Sequence, residues 1–364
     1  MSQYATSDAG SSRDVGYART MAGPESDLEV TAVDTIRAFD RTRWNEVVDR
    51  SQLGTVFHRY EWLEAIERGL EYPVRHLVVD NGTDLVGLFP NFIVPIPKTP
   101  FDRLTSIYPG FGGPLLTADA AESLSLVSDA IPRLCGHRTI VHEIRASNTN
   151  FHRYDSHLDA EGYDSSRIDG RFLLNLASGY DAVFDGMDSS KRRAVRRGRD
   201  IDHELDDVEP SRENLTQFYE AYRTRMENID GTVYPFAFFD RLRAMNERLL
   251  LVSISVEGEY AGGFLALRND ERNILHGFFA AVPSEYFEYH ASELVYDYLF
   301  RRAIDEGYEY YDFGGGGADF EDGGFTFKEQ FGGRLVPNLY WERGISPAWP
   351  LVKRGRSLYW RYGE

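Results

Sequence analysis

The chain has 364 residues, 58 acidic against 40 basic, and a formal net charge of −18. A hydrophobic fraction of 42% suits a globular chain long enough for two domains, and no apolar run reaches the length of a membrane helix. One cysteine, Cys135, excludes an internal disulfide, and the scattered histidines (His152 and His157 among them) offer no zinc spacing, so no metal is expected.

Only four lysines stand among the 40 basic residues. Acidic surface with arginine in place of lysine points to a high-salt cytoplasm, where dense carboxylates stay hydrated and their repulsion is screened. On this reading the acidity reports the solvent, not a basic partner, and the protein is expected to be cytoplasmic.

Residues 1–27 are rich in Ser, Gly, Ala and Asp with no apolar stretch, and are expected to be a disordered tail. A first unit is expected over residues 28–170. It contains a helix around Tyr60–Arg68 and a hairpin over 76–92, turned at Asp80-Asn-Gly82. A third strand, Leu104–Tyr108, follows. Leu124, Val127, Ile131 and Leu134 then recur at helical spacing, and Thr139–Ile144 closes the unit. Cys135 continues that helical pattern and is read as a core residue.

A second unit is expected over residues 171–345, in the same order. A helix around Arg212–Met226 precedes a hairpin over 250–267 whose turn aligns Gly258 with Gly82 and whose second strand aligns Gly263 with Gly87. The strand Asn273–Phe279 follows, then a helix marked by Leu294, Tyr298, Phe300 and Ile304, then the strand Tyr308–Asp312. The shared order and matched glycines argue for duplication. Residues 346–364 form a basic, aromatic tail, expected to pack its aromatics on the body and leave its arginines in water.

Two constellations carry candidate chemistry. In Tyr310-Tyr-Asp-Phe-Gly-Gly-Gly-Gly317 a strand ends on a carboxylate and runs into glycines, which strand interiors seldom keep, so a loop with free backbone N–H groups is expected. Phe327-Lys328 follows and supplies a ring and an amine. The other constellation is Lys191, Arg192, Arg193, Arg196, Arg197 and Arg199, on a helix with Asp188, Ser189 and Ser190 as candidate caps. Residues 192, 193, 196 and 197 share one side there, and such stacked cations need compensation, by a phosphate-bearing ligand or by the acidic run from Asp200 to Glu209.

The repeated order and the closing segment, with Phe57-His-Arg-Tyr-Glu-Trp62, Gly110-Phe-Gly-Gly-Pro-Leu115, Ser189–Arg197 and Phe327-Lys-Glu-Gln-Phe-Gly-Gly333, resemble the FemAB-like branch of the GNAT acyltransferase superfamily over about residues 40–345. The resemblance implies an α/β (α+β) fold of two tandem GNAT-like domains, mixed sheets flanked by helices. It also implies transfer of an acyl or aminoacyl group, from acyl-CoA or aminoacyl-tRNA, to an amine acceptor that bears phosphate or is lipid-linked, in cell-envelope polymer or glycan synthesis. No stable membrane insertion and no tightly bound cofactor are expected. The sequence departs from ordinary GNAT enzymes at Ala280–Ser292, which lacks the glycines of the loop that holds the CoA pyrophosphate.

The resemblance places Lys328 near the reacting carbonyl. Amine attack on an ester or thioester needs a neutral amine, a donor for the oxyanion and alignment of both reactants. Lys328 supplies positive charge. Asp312 is either the acceptor of the amine proton or a cap on the glycine loop, and His276 is the third catalytic candidate. Arg192, Arg193 and Arg196 are candidates for phosphate, and Tyr108, Tyr289 and Phe327 for lining the cleft. The alternative is a non-catalytic saccharide- or nucleotide-binding protein that retains the double fold.

Overall fold

Two hairpins with matching turns organise the fold of this computed structural model, which describes residues 19–22, 27–166, 169–316 and 320–362. The chain opens with β1 (Arg19–Ala22), β2 (Glu29–Val33), α1 (Arg41–Arg50) and α2 (Tyr60–Gly69). The first hairpin, β3 (His76–Asp80) and β4 (Leu85–Phe89), leads to β5 (Phe92–Pro95), β6 (Asp102–Thr105) and β7 (Leu115–Leu116). After α3 (Ala120–Leu134) and β8 (Thr139–Ala146) come α4 (Asp155–Ala160) and β9 (Asp164–Ser166). The remainder begins with β10 (Gly170–Asn175), α5 (Tyr180–Gly186), α6 (Ser189–Arg199), β11 (His203–Val208), α7 (Arg212–Asn228) and α8 (Phe236–Leu242). The second hairpin is β12 (Leu249–Val256) and β13 (Glu259–Asn269), followed by β14 (Ile274–Ala281), α9 (Ala291–Asp305) and β15 (Tyr310–Gly316). The chain closes with α10 (Gly323–Gln330), β16 (Arg334–Pro337), β17 (Leu339–Gly344) and α11 (Trp349–Tyr362).

The aligned glycines do the same work in both halves. Gly82 and Gly258 take left-handed φ values of 84° and 80° in the two turns. Gly87 faces Val79 and Gly263 faces Ser253 in the two hairpin ladders, and each ladder carries a bulge beside its turn. The halves differ at Pro90. Where β13 runs unbroken through eleven residues, Pro90 interrupts the equivalent strand between β4 and β5. The first half therefore splits into two sheets, β1-β2-β3-β4-β7 and β5-β6-β8-β17-β9, while the second is one sheet ordered β11-β12-β13-β14-β15-β10-β16.

The first half takes its penultimate strand from the second. β10, the opening strand of the second half, inserts between β15 and β16. β17 leaves the second and inserts between β8 and β9. The expected second unit, 171–345, is corrected at this point, because its last strand completes the first unit's sheet. The cores are also shared. One joins Trp44, Trp62 and Val79 of the first half to Phe238, Phe239 and Phe279 of the second. The other lies on the opposite face of the second sheet, where Leu294, Phe300 and Tyr311 meet Phe172 and Val195.

The expected disordered tail lies outside the described residues over 1–18 and 23–26. It is corrected at Arg19–Ala22, which pairs antiparallel with β2. At the other end Trp349 is buried against Ile140 and Val141, and Lys353 is ion-paired to Glu342. Cys135 is half-buried at the end of α3, and burial pushes its thiol up to about 11, which suits packing and not nucleophilic chemistry.

Candidate active site

β14 and β15 run parallel for three residue pairs only: Ile274 with Tyr310, Leu275 with Tyr311, and His276 with Asp312. Beyond that pair β14 stays with β13 and β15 turns to β10. The strands part in a V whose apex is His276 and Asp312. Helices α9 and α10 lie near its rim, and Lys328 sits on α10.

The glycine run is strand, not the expected loop. Gly315 pairs with Arg171 and Gly316 with Gly170. The incoming β10 supplies hydrogen-bond partners that no reading of the local sequence could provide. Gly317 lies outside the described residues. Glycine is still required at one position here: Gly314 has φ 78°, and a Cβ added there would touch the Gly277 carbonyl at 3.4 Å. Gly277, opposite, packs so closely that an added Cβ would sit 2.2 Å from the Tyr311 hydroxyl.

Asp312 is 3% exposed and fully engaged. Its Oδ2 accepts from Arg171 Nη1 at 2.9 Å and from His276 Nδ1 at 2.9 Å, and its Oδ1 accepts from the Gly314 N–H at 2.8 Å. Burial alone would raise its carboxyl. The Arg171 guanidinium, His276 and the Gly314 N–H outweigh burial and hold it well below the usual carboxylate range. The proton-acceptor reading of Asp312 does not fit this geometry, and the cap reading does.

His276 is equally committed. Asn269 Oδ1 accepts from the Val56 N–H at 3.1 Å, which turns Asn269 Nδ2 toward His276 Nε2 at 2.9 Å. Nε2 is therefore an acceptor, and the ring proton lies on Nδ1, facing Asp312. Phe57 covers the ring with centroids 5.1 Å apart. With both nitrogens occupied, His276 is a structural member of the apex and not a free base.

Lys328 is half-buried, and its Nζ donates to the Gly315 carbonyl. Burial lowers its pKa, against the raising influence of Asp312 and Asp322. Phe327, half-buried beside it, packs against Tyr296 at 5.4 Å and Phe331 at 5.1 Å. The other face of Phe327 carries Lys191 Nζ 3.8 Å from the ring centre, and Lys191 is paired with Glu293 at 2.7 Å.

The basic helix forms as expected over Ser189–Arg199, capped by Asp188 accepting from the Ser190 N–H. Its cations are not alike. Arg192 is spent on the carbonyls of Asp185 and Met187, closing the end of α5. Arg199 grips Asp297 and Tyr180. Arg196 lies over the Phe184 ring at 5.3 Å, and Arg193 and Arg197 are exposed. Among the described residues Arg193, Arg196 and Arg197 form no ion pair, so the phosphate reading rests on these three.

Tyr108 is not on the third strand, since β6 ends at Thr105, and Thr105 is the true counterpart of His276. The Tyr108 ring instead sits beneath Arg103 at 5.0 Å and Arg145 at 5.1 Å, near Tyr234 at the seam between the halves. Tyr289 is half-buried just before α9, 6.4 Å from the Tyr286 ring. The structure thus brings together Lys328, Phe327, Asp312 and His276, sets Tyr289 near the start of α9, and leaves Tyr108 at the seam. Arg171 and Asn269 were missed by sequence reading. Neither belongs to a local motif, and Arg171 meets Asp312 only through the pairing of β10 with β15.

A pyrophosphate cradle of the usual GNAT kind does not fit the segment between β14 and α9. Pro283 lacks an N–H, a 3-10 turn spans Ser284–Tyr286, and the first turn of α9 carries its own carboxylate, Glu293, already paired with Lys191. A cavity of about 760 Å³, lined by Asn45, Arg59, Glu61, Asn246, Arg248 and Arg268, opens at the other end of the sheet, away from the V. Among the described residues no cluster of three metal-ligating side chains occurs, and no helix is long and apolar enough to cross a membrane.

Residues 188–322 match the family model described as Acetyltransferase (GNAT) domain. No curated protein matches the chain. Among solved structures, FemX is similar over 86% of this chain and 98% of its own, with a TM-score of 0.65 and 13% identity. The L-PGS structure from Bacillus licheniformis is similar over 86% of this chain and 94% of its own, with a TM-score of 0.56 and 13% identity. A tandem GNAT protein from the clavulanic acid biosynthesis pathway is similar over 88% and 99%, with a TM-score of 0.54 and 13% identity. At such identity these likenesses establish the fold. The chain has the tandem GNAT fold across both halves, and its segment 188–322, which contains the parted strands, matches the model of a GNAT acetyltransferase domain.

Proposed function

We propose that the protein is an acyltransferase that moves an acyl or aminoacyl group from an activated ester or thioester to an amine, with the reacting carbonyl in the V between β14 and β15. The observation that carries this reading is the placement of Lys328. Its amine sits at the V, against the Gly315 carbonyl, in a half-buried setting. In the reaction the acceptor nitrogen forms a C–N bond, the donor's C–O or C–S bond breaks, and the amine proton leaves with the released alcohol or thiol. The Lys328 ammonium stabilises negative charge gathering on the carbonyl oxygen, and in a site shielded from water that charge is worth more than in bulk.

The donor reaches the site without a conventional pyrophosphate loop, because Pro283 and Glu293 occupy its place. This favours a donor held by its acyl end and by contacts elsewhere, and it leaves aminoacyl-tRNA and acyl-CoA as the classes to assay. Arg193 and Arg196, with Arg197, serve a phosphate-bearing substrate, and cell-envelope polymer synthesis is the setting that the resemblance of the sequence to the FemAB-like branch implies. The test is turnover with panels of aminoacyl-tRNA and acyl-CoA donors, comparing wild type with Lys328→Ala. Turnover lost in the variant with folding intact supports the reading. Turnover with no donor, or equal turnover in both proteins, overturns it.

A further inference from the structure

The apex of the V is tied to the first half of the molecule at both ends. On one side the Val56 N–H holds Asn269, Asn269 holds His276, and His276 holds Asp312. On the other, Arg171 Nη1 holds Asp312 while its Nη2 donates to the Ser147 carbonyl at the end of β8, 2.6 Å away. Every side chain in this path is nearly excluded from water: Asn269 is 1% exposed, His276 5% and Arg171 6%. Asp312 then passes the constraint on. Its Oδ1 fixes the Gly314 turn, and the next residue, Gly315, offers the carbonyl on which Lys328 rests.

We propose that Arg171 and Asn269 are positioning residues, through which the first half holds Asp312 and the glycine strand and thereby sets the place and charge environment of the Lys328 amine. The inference rests on the reading of Lys328 as the acting cation. It explains why the second half carries the open site yet cannot dispense with the first. A guanidinium that bridges a backbone carbonyl and a carboxylate spans two bodies with a rigid fork, which a lysine at the same place would do less well. The charged groups that face Lys328 are Asp312 and Asp322, with Arg171 and the neutral His276 ring behind Asp312 and Lys191 across the Phe327 ring.

The test uses the intact chain and needs no substrate. Acetic anhydride applied over a pH series, followed by peptide mass spectrometry, reads the titration of each lysine separately, and Lys98, Lys191 and Lys353 are internal controls. Arg171→Gln leaves the Asp312 charge uncompensated, so the Lys328 titration should move up by about one pH unit. Asp312→Asn removes an attractive charge, so it should move down. Opposite shifts at Lys328, with the other lysines unmoved, support the proposal. Shifts in the same direction, toward an ordinary exposed lysine, would mean that the network only holds the fold, and would overturn it. If Asp312→Asn does not fold, Arg171→Lys decides: keeping the charge should keep the titration near wild type, and a shift as large as that of Arg171→Gln overturns the proposal. These outcomes are independent of turnover, so failure here is distinct from failure of Lys328 in catalysis.

Discussion

Glu143 and Asp312 occupy the same step in the two halves, each the last residue held in parallel register, Glu143 against Thr105 and Asp312 against His276. The two strands diverge directly afterwards. Two residues beyond Glu143 stands Arg145, packed among Tyr108, Phe111 and Tyr340 at 5.0 to 5.2 Å. Two residues beyond Asp312 stands Gly314, at φ 78°, where an added Cβ would touch the Gly277 carbonyl at 3.4 Å. A cation and three rings pack at this step in the first half, and a glycine stands there in the second.

Lys328→Ala should lower turnover on the order of a hundredfold, with a smaller effect on KM, because the charge is needed most as the oxyanion forms. Lys328→Arg should recover only part. Burial lowers the Lys328 pKa, so activity that needs the ammonium is full below that pKa and declines as pH rises through it. The alkaline limb of the kcat profile should therefore come earlier than for an exposed lysine. A profile flat on the alkaline side would contradict the role.

Gly277→Ala should destabilise the protein by about 1–3 kcal/mol, since the new methyl would press on the buried Tyr311 ring and force the apex strands apart. Chemical denaturation measures it. An unchanged midpoint would show that the V tolerates separation.

Arg192→Gln and the pair Arg193→Gln with Arg196→Gln should behave differently. Arg192 closes the end of α5, so its loss should lower the melting temperature. The pair, exposed or stacked on Phe184, should leave melting unchanged and weaken substrate binding at low salt, with the loss shrinking at high salt. Equal affinity of the pair variant and wild type at low salt would remove the phosphate role.

Acid should destabilise the first half through three histidines. Burial lowers His58, His76 and His142 to about 3. Each is neutral when folded and takes up a proton on unfolding below its ordinary value of 6.5. The stability they permit is whole above pH 6.5 and falls as pH drops toward 3, by roughly 1 kcal/mol per pH unit for each ring. Denaturation midpoints followed from pH 7 to 4 test this, and His142→Gln should flatten the slope by about one ring's share. A slope unchanged by that substitution would argue against the assignment.

Ending the chain after Pro337 should unsettle the first half, although the missing strand comes last in sequence. β17 lies between β8 and β9 and bonds to both, so its loss detaches β9 and leaves β8 as an open edge. Hydrogen exchange should rise in Thr139–Ala146. Protection retained there would mean that β8 and β9 close up without it.

Hairpins, helices and their order were legible in the chain because each is written locally, in alternation, in helical spacing and in glycines that turns require. The basic helix and its cap were legible for the same reason. The tandem GNAT fold followed from that order and from the closing motif around Phe327 and Lys328. The insertion of β10 beside β15 and the exchange of β17 were not legible, since strand patterning says which residues face inward but not which strand lies alongside. The glycines of β15 therefore read as a loop until β10 supplied their partners. The roles of Asp312 and His276 also awaited the tertiary structure. A carboxylate and an imidazole look available in a sequence, and only the fold showed that Arg171, Asn269 and the Gly314 N–H had already taken their hydrogen-bonding positions.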